Sequence, residues 1–162
     1  MRVNPSRESR IVRRIEDLER TIFACVCSWG LQRAFRQISG LVSVLCYARG
    51  HADNPTHEQV RSMSTDHAEA VRIVFNPRRV LYSQLLGHLL CNCDSGKTSR
   101  RGSPIAVRYR SLVLHHNERQ RAEAESAMAE FEASRSLPES EIILSEPVGV
   151  SVLLMTSTGA VA

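Results

Sequence analysis

The sequence predicts an α+β domain with a ferredoxin-like, split βαβ plan, which is a two-layer α/β sandwich, and with an added C-terminal helix. Apolar runs of strand length alternate with stretches in which apolar residues recur at helical spacing. The order strand, helix, strand, strand, helix, strand is that of a split βαβ fold. A chain of 162 residues with 43% hydrophobic content is also the size of one domain with a single core.

The first three predicted elements lie between residues 21 and 47. Residues 21–27 form a nearly continuous apolar run, which favours a strand buried on both faces. Leu31, Phe35 and Ile38 recur at helical spacing, and a glycine follows them as a stop signal. Residues 41–47 are again apolar and predict a second strand.

The middle of the chain predicts a long loop, a strand and a helix. Residues 49–66 are polar, and a loop of this length in a compact domain is usually functional or disordered. Residues 70–75 read as a third strand, which ends before an Asn-Pro pair. Five leucines at helical spacing within residues 81–90 predict an amphipathic helix.

The last part of the chain predicts an irregular stretch, two strands and a helix. Residues 94–107 contain glycine and proline, and residues 108–115 are a plausible fourth strand. Asn117 is the predicted N-cap of a helix that runs to about residue 133, and residues 141–144 form a short last strand.

Composition divides the chain into three segments and limits the classes of protein to which it can belong. We expect an Arg- and Glu-rich arm in residues 1–20, the domain in residues 21–146 and a flexible tail in residues 147–162. No apolar run reaches the length of a membrane span, and the first twenty residues lack the features of a signal peptide, so we expect a cytoplasmic protein. We also expect a monomer. The net charge is +4, but the arginines are scattered among acidic residues, so nucleic acid is not an expected partner.

Cys27 lies between a predicted buried strand and a predicted helix. Unpaired N–H groups at a helix N-terminus favour an anion, and such a position makes a thiol more reactive. Most free cysteines, however, are small buried apolar residues. The local sequence leaves both interpretations of Cys27 open.

The chain has five cysteines, and four of them suggest a different class of protein. Cys25, Cys27, Cys91 and Cys93 form two C-x-C pairs, which would make a small zinc-binding or interaction domain. Tetrahedral zinc sites usually use cysteines separated by two to four residues, so this spacing is tighter than usual.

Five segments follow one another between about Thr21 and Glu146: TIFACVCSWG, GLVSVLCYARGH, ADNPTHEQV, STDHAEAVRIVFNP and RYRSLVLHHNERQRAEAE. In order and interval they resemble the A-type peptide methionine sulfoxide reductases. That family has a GCFWG nucleophile motif, a GYxGG turn, an NPTY loop, a GHAEAV strand and a QYRS strand. HAEAV and NPT together at this interval are specific.

The resemblance implies a thiol-dependent reduction of methionine-S-sulfoxide, free or in proteins, that repairs oxidised proteins. Cys27 matches the nucleophile, which would pass through a sulfenic acid. Glu69 matches the proton donor to the sulfoxide oxygen, and Tyr109 matches a phenol that hydrogen-bonds this oxygen. Trp29, together with His57 and Ser28, would bind the substrate.

The same resemblance implies no metal and no cofactor. The reductant would be an external thiol, expected to be thioredoxin or a small thiol, and neither a membrane nor nucleic acid would be a partner. The resolving cysteine stays open, because the tail beyond Glu146 carries none, whereas the family often has one there.

Several supporting positions depart from the family pattern. Cys25 and Val26 replace glycines before the nucleophile, Ser28 replaces a phenylalanine, and His57 replaces a tyrosine. Pro104 stands where the family has an aspartate. The alternative function is therefore a catalytically impaired or inactive homologue that keeps the fold, since site geometry depends on such neighbours.

Overall fold

The computed structural model describes residues 16–25, 28–93, 110–134, 142–147 and 150–152. The strands are β1 (Glu19–Ala24), β2 (Leu41–Ala48), β3 (Ala68–Phe75), β4 (Leu112–Leu114), β5 (Ile143–Ser145) and β6 (Ser151–Val152). The helices are α1 (Ser28–Phe35), α2 (His57–Arg61), α3 (Tyr82–Cys93) and α4 (Glu118–Ala133).

The strands form one sheet with the order β5-β4-β1-β3-β2-β6 in the described part of the chain. β3 is antiparallel to both β1 and β2, so β1 and β2 run parallel with β3 between them. α1 connects β1 to β2 in the chain, which is the split βαβ arrangement. The predicted α+β class and ferredoxin-like plan are confirmed, and α4 with β5 extends them.

The two faces of the sheet carry separate apolar clusters, because side chains alternate along each strand. Phe23 of β1 belongs to the larger cluster, together with residues of α1, α3 and α4. Its ring lies 5.9 Å from that of Phe35 and 6.0 Å from that of Tyr82. Ile22, its neighbour, belongs to the second cluster, in which small residues such as Ala70 predominate. Burying a side chain such as Phe23 contributes about 1.5–3 kcal/mol to stability.

The structure adds two elements that the sequence did not predict. The predicted loop 49–66 contains α2, which Thr56 caps through a reciprocal pair of hydrogen bonds with Gln59. β6 lies in the predicted tail and pairs with β2, with Ser151 opposite Tyr47.

Other boundaries shift by a few residues. α1 ends at Phe35, before the predicted limit at Ile38, and β3 begins at Ala68. The predicted Asn117 cap of α4 is confirmed, since its side chain accepts a hydrogen bond from the Gln120 backbone N–H. The predicted arm falls largely outside the described residues, as does the irregular stretch 94–107. None of the helices in the described part of the chain is both long and apolar enough to span a membrane.

Candidate active site

A depression lies where four elements meet, at the start of α1, the end of β2, the start of β3 and the start of α2. The space between its lining atoms, including the part that is open to solvent, is about 260 Å³. Four residues of the predicted site contribute to it, together with three residues of β2. The lining residues are Ser28, Trp29, Leu45, Cys46, Tyr47, His57 and Glu69.

A carboxylate is held in this depression by the first residue of α1. Glu69 is the second residue of β3 and is half-buried. Ser28 is only 2% exposed, and its hydroxyl donates a hydrogen bond of 3.2 Å to Glu69 Oε2. This contact fixes the orientation of the Glu69 carboxyl group relative to the start of α1.

A phenol and an imidazole form a second polar pair in the depression. The Tyr47 hydroxyl and His57 Nδ1 are 2.8 Å apart, and the tautomer of the imidazole decides which of them donates. β2 and β3 place Tyr47 directly opposite Glu69. The capped start of α2 holds His57 against Tyr47. Two groups that can hydrogen-bond an oxygen atom therefore adjoin the carboxylate.

The apolar part of the depression comes from an exposed indole and a buried aliphatic side chain. Trp29 lies in the first turn of α1 and is 59% exposed, so its ring is available to a ligand. Leu45 is buried in β2. An exposed indole beside a carboxylate and a phenol suits a ligand that has both an apolar and a polar part.

One arginine joins the two chain segments that lead into the depression. Arg110 Nη2 donates to the backbone oxygens of Arg49, 3.1 Å away, and Asp66, 2.9 Å away. Arg49 follows β2 and Asp66 precedes β3, and both have positive φ, 61° and 58°. Both stand where the resembling family has glycine, and glycine adopts this backbone conformation at less cost.

A buried histidine packs against the ring of Tyr47. His67 is 2% exposed, and its ring centroid lies 6.4 Å from that of Tyr47. Burial, with the positive charges of His51 and Arg110, lowers the pKa of His67, so the ring is neutral at pH 7. Gly50 leaves the space for this ring, because a Cβ built there would lie 2.0 Å from His67 Nδ1.

The structure brings Ser28, Trp29, His57 and Glu69 together, as the predicted site requires. Cys27 and Tyr109 lie outside the described residues, although Cys27 directly precedes the first residue of α1. Sequence reasoning assigned no role to Tyr47, although it lies in the turn motif that was compared with GYxGG. The signal that reveals it is its pairing with Glu69 across the sheet.

The described cysteines occupy different environments, and no disulfide joins them. Cys46 lines the depression, and burial raises its pKa to about 12. Cys25 and Cys93 are buried, whereas Cys91 is exposed. No group of three or more His, Cys, Asp or Glu side chains in a metal-binding arrangement occurs among the described residues.

A sequence model of the family described as "Peptide methionine sulfoxide reductase" matches residues 19–149. A relative named "Peptide methionine sulfoxide reductase MsrA" from Methanosarcina acetivorans is 42% identical over 118 residues, or 72% of this chain and 63% of the relative. A relative of the same name from Methanosarcina mazei is 41% identical over 120 residues, or 74% of this chain and 57% of the relative. The chain therefore spans less than two thirds of the length of these two relatives.

Solved structures resemble the chain in fold. The crystal structure of Mxr1 from Saccharomyces cerevisiae in reduced form matches with a TM-score of 0.69 at 17% identity, over 83% of this chain and 79% of Mxr1. The structure of Mxr1 in complex with Trx2 matches with a TM-score of 0.56 at 13% identity, over 93% of this chain and 84% of that one. At such identities the likeness concerns the fold alone.

Proposed function

The chain belongs to the peptide methionine sulfoxide reductase family, and from this premise we propose that it reduces methionine-S-sulfoxide, free or in proteins, to methionine. The observation that carries the proposal is the meeting of Ser28, Trp29, His57 and Glu69 in one depression. These residues come from three separate elements, and each occupies a position of the family pattern. We place the catalytic unit in residues 21–146.

Cys27 is the proposed nucleophile. Its thiolate attacks the sulfur of the protonated sulfoxide and forms an S–S bond. The hydroxyl group then passes to the Cys27 sulfur as the S–S bond and the original S–O bond break, which leaves a sulfenic acid on Cys27 and releases methionine. The helix that begins at Ser28 supports this role, because its N-terminal N–H groups favour a negative charge on the preceding residue. Attack alone is insufficient, since the sulfoxide oxygen must also be protonated.

Glu69 is the proposed proton donor. A carboxyl group that is half-buried beside an indole and a leucine can hold and transfer a proton. Its hydrogen bond from Ser28 supports this role, because it fixes the orientation of the carboxyl group in the depression.

The sulfoxide group is bound by polar and apolar parts of the depression. Tyr47 and His57 line the same depression as Glu69 and are proposed to hydrogen-bond the sulfoxide oxygen, to which Tyr109 is proposed to add a further phenol. The exposed indole of Trp29 is proposed to contact the S-methyl group. Ser28 is proposed to contribute by orienting Glu69 through its hydrogen bond, and not by an apolar contact with the substrate.

The reductant is proposed to be thioredoxin or a small thiol. The yeast protein Mxr1, similar in fold, has been solved in complex with Trx2, which supports a thioredoxin as the partner here. We expect the protein to act as a monomer in the cytoplasm, where such thiols are kept reduced. The proposed chemistry needs no metal and no bound cofactor.

The test is an assay of the full chain with a peptide that contains methionine-S-sulfoxide and with dithiothreitol as reductant. We expect methionine from the S epimer only. Cys27→Ser should abolish turnover and Glu69→Gln should lower it strongly, whereas Cys91→Ser, at an exposed thiol that is not among the lining residues, should leave it unchanged.

Absence of product from the native chain, in an assay where a known reductase is active, would contradict the proposal and favour the inactive homologue. Equal activity of the native and Cys27→Ser chains would remove the mechanism.

A further inference from the structure

Two buried thiols meet beneath the start of α1. Cys25 follows β1 directly and is 3% exposed, while Cys93 is the last residue of α3 and is 7% exposed. Their side chains are hydrogen-bonded to each other, and Cys93 is also hydrogen-bonded to Ser111. Elements far apart in sequence thus place two oxidisable groups within hydrogen-bond contact of each other.

The other described thiols are placed differently. Cys25 and Cys93 belong to the same apolar cluster, whereas Cys46 belongs to the cluster on the opposite face of the sheet. Cys91 is on the same helix as Cys93 but is exposed. Among the described cysteines, Cys93 is therefore the partner that Cys25 can reach without a change of fold.

We propose that Cys25 and Cys93 form a reversible internal disulfide that takes over the oxidising equivalent left on Cys27. This inference rests on the proposed function, because Cys27 receives its oxygen from the sulfoxide. It assigns the pair the role of resolving thiols within the domain itself. The reductant then acts on the Cys25–Cys93 bond.

The transfer has two balanced steps. The Cys25 thiol attacks the sulfenic acid of Cys27, which forms a Cys25–Cys27 disulfide and releases water. The Cys93 thiolate then attacks the Cys25 sulfur, which forms the Cys25–Cys93 disulfide and returns Cys27 as a thiolate that takes up the proton. The overall change is one sulfoxide reduced, two thiols oxidised and one water released.

Geometry and hydrogen bonding favour this direction. A disulfide between residues two apart in the chain is strained and therefore readily reduced, whereas the Cys25–Cys93 contact spans two packed elements. In the reduced protein, the hydrogen bond to Cys25 and burial raise the pKa of Cys93, so Cys93 keeps its proton. Oxidation of Cys25 removes the first of these causes, so that burial, which still raises the pKa of Cys93, is opposed by the hydrogen bond with Ser111, which lowers it.

The first arm of the test gives the full chain an excess of the methionine-S-sulfoxide peptide without reductant. We expect about one methionine per chain, a fall from five to three free thiols, and a Cys25–Cys93 link in digested peptides. Cys93→Ser should still release one methionine but leave Cys27 as a dimedone-reactive sulfenic acid or bonded to Cys25. Cys91→Ser, the matched control on the same helix, should behave as the native chain.

A native chain that retains the sulfenic acid while Cys25 and Cys93 both stay reduced would overturn the proposal, as would a disulfide at other positions.

The second arm tests whether Cys25 and Cys93 form a disulfide independently of sulfoxide reduction at Cys27. The full chain with Cys27→Ser is treated with oxidised dithiothreitol under native conditions, and we expect the Cys25–Cys93 bond to form by thiol–disulfide exchange. Absence of this bond overturns the inference, even if the first arm releases methionine. Formation of the bond, with no methionine released in the first arm, supports the pair as redox-active and counts against the proposed function instead.

Discussion

Replacement of Gly50 by alanine tests the packing beneath the candidate active site. A Cβ at this position would lie 2.0–2.1 Å from three atoms of the His67 ring. Ordinary carbon contacts are about 3.5–4.0 Å, so the ring would have to retreat by roughly 1.5 Å. His67 is almost fully buried against Tyr47 and has little room to move.

The cost of Gly50→Ala follows from this clash. Adding a methyl group to a well-packed interior costs about 1–3 kcal/mol, and we expect the upper end because three ring atoms are contacted at once. Displacement of His67 should also move Tyr47 away from His57, so activity should fall together with stability. The measurement is the free energy of unfolding from urea denaturation followed by circular dichroism.

Gly87→Ala is the matched control. Gly87 lies within α3, and a Cβ there meets no atom within 4 Å, so the same substitution should stabilise the protein by about 0.5–1 kcal/mol. In a His67→Ala background, the cost of Gly50→Ala should largely disappear. The packing argument is refuted if the free energy of unfolding of Gly50→Ala lies within about 0.5 kcal/mol of the native value while Gly87→Ala is stabilised as expected.

Three further changes test other contacts. Asp66→Gly should raise the free energy of unfolding in urea by about 1 kcal/mol, because Asp66 has φ 58° and its ion pair with Arg110 is long and exposed; an unchanged value would refute this. Ser28→Ala should lower kcat for the sulfoxide peptide roughly two- to fivefold, because Glu69 loses the hydrogen bond that orients it; an unchanged kcat would contradict this. Burial raises the pKa of Tyr82 from 10.0 to about 12, so the folded state holds this proton more tightly than the unfolded state. The resulting stability is present below pH 10 and is lost as the pH rises through about 12, by roughly 3 kcal/mol. Tyr82→Phe should reduce this alkaline loss in urea titrations at several pH values, and an unaltered loss would assign it to other groups.

Much of the fold follows from local pattern. The alternation of apolar runs and helical spacings predicted the order of β1, α1, β2, β3 and α3, because burial of one face imposes a period on each element. α2 escaped prediction because it has one turn and one buried residue, Val60, and so no periodicity to detect. β6 escaped because a two-residue strand depends on its partner β2 rather than on its own composition.

The candidate site divides in the same way. The family spacing identified Ser28, Trp29, His57 and Glu69 as neighbours, and the described structure places them together. For Ser28, the family resemblance predicted only a role in substrate binding. The observed hydrogen bond to Glu69 depends on where the start of α1 packs against β3, which no local pattern contains.

The sequence alone determined the fold class, the family and the positions that would carry the chemistry. These depend on residue types at regular intervals along one chain. Only the tertiary structure decided that Tyr47 meets His57, that Gly50 makes room for His67, and that Cys25 meets Cys93. The physical reason is that the cysteine contact joins elements far apart in sequence, while the other two depend on strand register and on the path of the loop between β2 and β3. Such contacts are set by packing in three dimensions.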